Sequence, residues 1–136
     1  MEIILKNKHT LQLDDFLFKC CVGKNGLTNK KIEGDKKTPK GKFSLDKLYY
    51  RKDRIKVPKT SFKCLEINQN MGWCHDLSYP KKYNRLIKVN NKIKCEKLKR
   101  QDHKYDLLIV IKYNFKKPII GFGSAIFIHL TKDYKP

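Results

Sequence analysis

Five cysteines and four histidines are the residues of this 136-residue chain best suited to hold a metal or attack a carbonyl. Cys64, Cys74, His75, Cys95 and His103 crowd its middle, yet structural zinc ligands normally come in pairs two to four residues apart. The close pair here is Cys74-His75, adjacent positions that rarely converge on one ion. No metal is expected, and these thiols read as small buried hydrophobes. Cys20 and Cys21 would point to opposite faces of a strand, and an odd, irregularly spaced set of cysteines argues against a disulfide framework. His129 differs, because it closes an apolar run over residues 125–130. At the end of a buried strand an imidazole is held rigidly, so a backbone carbonyl can fix one nitrogen while the other handles a proton. The same position also suits a histidine that only seals the core edge. Arg85, within Tyr83-Asn84-Arg85, offers a planar fork that matches a carboxylate, or a surface ion pair with a neighbouring acid.

Strands must position these groups. Residues 5–13 and 16–22 read as two short strands joined by a turn at Asp14-Asp15, with Phe16, Phe18, Cys20 and Val22 on one face. Gly23-Lys24-Asn25-Gly26 ends the second, and residues 28–40 form a polar loop. Asp35, Thr38 and Pro39 within it, with Gly41 entering the next strand, shape a rigid bend rather than do chemistry. Period-2 alternation over residues 42–50 predicts a half-exposed strand, and residues 61–68 a further short one. Residues 71–80, dense in Gly, Asp, Ser and Pro, read as loop. The branched run 107–111 within 105–113 best fits a central strand buried on both sides, and 124–130 gives another. Helical spacing is weakly present only around residues 93–100, so the expectation is a mostly β domain with little helix.

A chain of this length supports one domain with a real core. Lys and Arg number 32 against 13 acids, a net charge of +19, while 40% hydrophobic content argues against a disordered basic tail. All but four of the basic residues are lysines spread over every segment, which identifies no ligand. A nucleic-acid module would group its cations on one face with aromatics interleaved, so no specific nucleic-acid partner is expected. The first twenty residues show no basic head followed by an apolar stretch, and no run approaches the roughly 20 apolar residues of a membrane span.

The loops carry a more specific signal. Glu33-Gly34-Asp35, Thr38-Pro39 and Gly41-Lys42-Phe43 are followed by Tyr50-Arg51-Lys52-Asp53-Arg54, Gly72-Trp73-Cys74, Tyr83-Asn84-Arg85, Tyr105-Asp106, Tyr113-Asn114 and Gly123-Ser124-Ala125-Ile126-Phe127-Ile128-His129. In this order the segments resemble the L,D-transpeptidase catalytic domain family, from about residue 18 onward. The resemblance implies an L,D-transpeptidase-type β-sandwich in which a cysteine thiolate attacks a peptidoglycan stem peptide, forms a thioester and passes the acyl group to an amine on a second stem. It implies no cofactor and a role at the periplasm or cell envelope, although no signal peptide is visible; the chain is expected to be a monomer.

By the same resemblance His129 is the catalytic partner of the thiol, and Trp73, Tyr83, Asn84, Arg85 and Ser124 form the candidate substrate-binding set. Trp73 is either an apolar wall for the substrate or a loop residue closing the core. The family places Ser or Thr, one variable residue, Gly and the nucleophilic Cys shortly after this histidine, whereas here Thr131-Lys132-Asp133-Tyr134-Lys135-Pro136 follows. The expectation is a chain truncated before the nucleophile and the closing elements, and inactive as written. Cys74 is the internal thiol to weigh as a substitute, against the plainer role of a packed loop thiol. At His75 the chain departs from the family pattern, where an acidic residue is expected. The alternative class is a noncatalytic wall-peptide binder or a basic nucleic-acid binding module.

Overall fold

Residues 2–136 are described by a computed structural model, and they hold twelve strands and no helix. β1 (Ile3–Asn7), β2 (Thr10–Leu13) and β3 (Phe16–Lys19) make an antiparallel meander in that order. The Asp14-Asp15 turn lies where the sequence predicts, with Asp14 at φ 49°, a left-handed conformation that a short polar side chain tolerates. The single strand expected over residues 5–13 is instead a hairpin. Its turn at Lys8-His9 is held by the His9 N–H donating to the Asn7 side chain, a local bond that competes with continued pairing. β4 (Leu27–Thr28) and β5 (Thr38–Pro39) pair in parallel and close the polar loop between them.

β6 (Leu45–Tyr50), β7 (Cys64–Glu66), β8 (Met71–Cys74), β9 (Leu86–Lys88), β10 (Cys95–Lys97), β11 (Leu107–Ile111) and β12 (Phe127–His129) build two further sheets. One is ordered β12-β11-β6-β7 and the other β10-β8-β9. They pack face to face. Tyr49 from β6, Leu108 and Val110 from β11 and Phe127 from β12 meet Met71 and Trp73 from β8, with Ile67, Leu98 and Tyr105 filling the seam. The Trp73 ring stands edge-on to Tyr49 at 6.5 Å and to Phe127 at 5.3 Å, an arrangement the ring quadrupole favours.

Further sequence expectations are corrected here. The strand over residues 42–50 is not half-exposed, because β11 and β7 flank β6 and bury Leu48, Tyr49 and Tyr50. Residues 71–74 are not loop but the central strand of the smaller sheet, drawn in by Trp73, while the turn residues begin only after Cys74. Residues 93–100 hold no helix; Cys95–Lys97 pairs antiparallel with β8. β11 is central, as expected, but its burial alternates: Leu108 and Val110 are fully covered and their neighbours only partly. No helix among the described residues is long and apolar enough to cross a membrane.

Candidate active site

His129 ends the edge strand β12 in register with Leu108, which itself pairs with Tyr49. Cross-strand partners share a face, so the imidazole belongs to the inner face of the sandwich at the point where that face opens to solvent. Its Nδ1 lies 2.6 Å from the Leu130 carbonyl oxygen. A carbonyl only accepts, so Nδ1 carries the hydrogen, and in the neutral ring Nε2 keeps its lone pair. The Tyr105 ring stands edge-on to the imidazole at 5.2 Å. Desolvation by these neighbours lowers the His129 pKa below the usual histidine value, and the positive charges of Lys104 and Arg100 add to the effect.

The opposite sheet completes this rim. Glu96 of β10 accepts the Tyr105 hydroxyl at 3.0 Å and pairs with Arg100, whose guanidinium lies 5.1 Å from the centre of the Tyr105 ring. Glu96 and Arg100 also line an open groove of about 600 Å³. Burial and the Glu96 carboxylate push the Tyr105 phenol pKa upward, so at neutral pH it stays protonated and donates. Glu96 and Tyr105 were not among the sequence candidates. A lone acid within the basic run Lys94-Cys95-Glu96-Lys97 was the available signal for Glu96.

Trp73, Tyr83, Asn84 and Ser124 are brought together, but beneath the surface. Asn84 accepts the Trp73 indole N–H at 2.7 Å and the Ala125 N–H at 3.1 Å, and donates to the carbonyls of Asn114 at 2.7 Å and Tyr113 at 3.1 Å. All four hydrogen-bonding positions of the amide are filled. Tyr83, fully buried, donates its hydroxyl to Glu33 at 2.5 Å and accepts the Gly123 N–H at 3.1 Å, while Ser124 donates to the same Glu33 oxygen at 2.7 Å. Residues so enclosed offer almost no surface to a substrate. They fix the segment that enters β12. Gly123 at φ 101° belongs to this fastening: a Cβ there would lie 2.6 Å from Lys31 Cγ.

Arg85 stands apart from His129 in its bonding. Its fork donates to the carbonyls of Phe115 and Lys116, and the guanidinium lies over the Phe115 ring. Among the cysteines, Cys74 is completely buried and burial raises its pKa, the opposite of what a nucleophile requires. Cys21 is half-buried and lies 3.6 Å from the Thr131 hydroxyl, two residues past His129. No cluster of metal-ligating side chains occurs among the described residues.

The YkuD family, described as the L,D-transpeptidase catalytic domain, matches residues 3–136. The chain therefore belongs to that family, whose enzymes are transpeptidases acting on peptidoglycan peptides. Nothing among the curated proteins or the solved structures matches it.

Proposed function

We propose that this domain provides the histidine side of a cysteine acyl-transfer site for peptidoglycan stem peptides. His129 acts as general base or thiol partner through Nε2. One observation carries the reading: the bond from Nδ1 to the Leu130 carbonyl, which fixes the tautomer and leaves Nε2 unprotonated on an exposed ring at the sandwich rim. A neutral imidazole at pH 7 takes a thiol proton as the sulfur attacks the donor carbonyl, and later returns a proton to the departing amine. Trp73, Tyr83, Asn84 and Ser124 serve this step by positioning β12. Arg85 holds the Phe115-Lys116 backbone and reaches a substrate carboxylate only by giving up one of those bonds.

The run Ser or Thr, any residue, Gly, Cys does not occur in residues 1–136, so these residues alone are expected to form no thioester. The test has two arms. The codons after Pro136 should encode that run in frame, and the protein expressed with them should be acylated by a carbapenem at its cysteine. In that protein His129→Gln should slow acylation by about a hundredfold or more. A carbapenem adduct on the 136-residue chain, or unchanged acylation of H129Q, would overturn the proposal.

A further inference from the structure

Cys74 of β8 and Cys95 of β10 are direct cross-strand partners, and all five cysteines are free thiols. The surrounding bonds define the kind of pair. His75 N–H donates to Lys94 O at 3.2 Å and Leu98 N–H to Met71 O at 3.1 Å, so in this register the hydrogen-bonded positions are His75/Lys94, Trp73/Glu96 and Met71/Leu98. Cys74 and Cys95 occupy the non-hydrogen-bonded position between two of them. There the Cα atoms of an antiparallel pair approach to about 4.5 Å and the side chains are closest. That separation lies within the range of about 4.4–6.8 Å that a disulfide spans.

The two thiols also share a face, because Trp73 and Glu96, one residue away on each strand, point into the sandwich. Gly72 provides space beside them: a Cβ there would sit 2.6 Å from Cys95 Sγ. Access is unequal. Cys74 is sealed, whereas Cys95 is half-buried and lines two surface grooves.

We propose that Cys74 and Cys95 form a modification site, a cross-strand dithiol that exchanges with small disulfide oxidants to close an intramolecular bond stapling β10 to β8. The reaction runs in two exchanges. The Cys95 thiolate attacks one sulfur of the oxidant RSSR, forming a mixed disulfide and releasing RS⁻. The Cys74 thiolate then attacks the Cys95 sulfur and expels the second RS⁻. Together, two protein thiols and RSSR give one protein disulfide and two RSH; the protein is oxidised by two electrons and the small disulfide is reduced by two. Closure needs the Cys95 side chain to swing from above Gly72 toward Cys74, a rotation about χ1 on a fixed backbone. Burial raises the pKa of both thiols, so exchange is slow at neutral pH and accelerates as pH rises.

The site is independent of the acyl-transfer reading, and so is its test. The folded 136-residue chain is incubated with excess oxidised glutathione at mildly alkaline pH, quenched with acid, weighed intact and digested without reductant. The expected product is lighter by two hydrogens and yields a peptide linking Cys74 to Cys95. Cys74→Ala should arrest at a glutathione adduct on Cys95, and Cys95→Ala should leave Cys74 unmodified. A wild-type chain that stays reduced at Cys95, keeps glutathione there without cross-linking, or loses its hydrogens at Cys20, Cys21 or Cys64 would overturn the assignment. Because the wild-type product alone decides, a variant that fails to fold does not blur the result.

Discussion

The Trp73 indole N–H donates to Asn84 Oδ1 at 2.7 Å, and this buried bond ties the smaller sheet to the segment that delivers His129. The same oxygen accepts the Ala125 N–H, where the chain takes a left-handed φ of 53° just before β12. A left-handed alanine needs external support. Asn84, itself at φ 53°, supplies it from a position where an asparagine is tolerated better than most residues.

Asn84→Ala should therefore be among the costlier substitutions in the domain. It leaves the Trp73 and Ala125 donors and the Tyr113 and Asn114 carbonyls without this partner, and it puts alanine at a left-handed position. Loss of a buried, fully bonded amide implies a destabilisation of about 3 kcal/mol. Urea unfolding followed by tryptophan fluorescence measures it directly; a change within about 0.5 kcal/mol, typical of a plain surface site, would refute the role.

Tyr83→Phe isolates one part of the same fastening. The ring still fills its buried site, but Glu33 loses a donor and the Gly123 N–H loses its acceptor. The expected cost is about 1–3 kcal/mol, the penalty for stranding buried polar partners. Amide hydrogen exchange should also quicken at Gly123 while β11 stays protected, which would separate this local loosening from global unfolding.

Acid should weaken the fold in a defined window. Arg100 grips Asp102 through two bonds of 2.8 and 2.6 Å and holds its carboxyl pKa down to about 2; Arg51 does the same to Asp53 and depresses it further. Both carboxyls bind protons more readily unfolded, so their stabilisation is complete above pH about 4; it is lost as pH falls through about 2 for Asp102 and at still lower pH for Asp53. Side chains this exposed contribute modestly, and added salt should shrink the effect. Urea midpoints between pH 5 and pH 2 should fall less steeply for Asp102→Asn; identical slopes in the variant would dismiss the linkage.

Alternation located β3 and β6 and the branched run 107–111 located β11, because such runs have little choice but to pair, while β7 and β12 fall within the shorter strand candidates at 61–68 and 124–130. β8 escaped notice: Gly72 and the turn residues after Cys74 look like loop, and only Trp73 entering the core makes the segment a strand. β10 is three residues long and owes its form to the register with β8, a tertiary effect no local pattern contains. The ring of His129 was legible from its place at the end of an apolar run. The bonds that fix the segment entering β12 were not: Glu33 meets Tyr83 and Ser124 across separations of 50 and 91 residues, and such pairing leaves no trace in one chain's composition or spacing. Motifs point to Trp73, Tyr83 and Asn84, but their burial follows only from the packing of the two sheets.

His129 offers the sharpest pH measurement. Its folded pKa lies below the ordinary value of 6.5, mainly through desolvation, so below that pH the unfolded chain takes up the proton more readily than the folded one. The stabilisation from a neutral His129 is fully present above pH 6.5 and drains away as pH falls through the folded pKa. Proton-detected NMR of the imidazole should show a midpoint under 6.5 and the Nδ1–H tautomer above it, with Nε2 free of hydrogen. His129→Gln should remove that segment of the stability–pH curve while leaving the acid limb due to Asp53 and Asp102. A midpoint above 6.5 would refute the stability linkage, and a proton resting on Nε2 in the neutral ring would leave that nitrogen unable to accept from a thiol, so that the general-base assignment would fall.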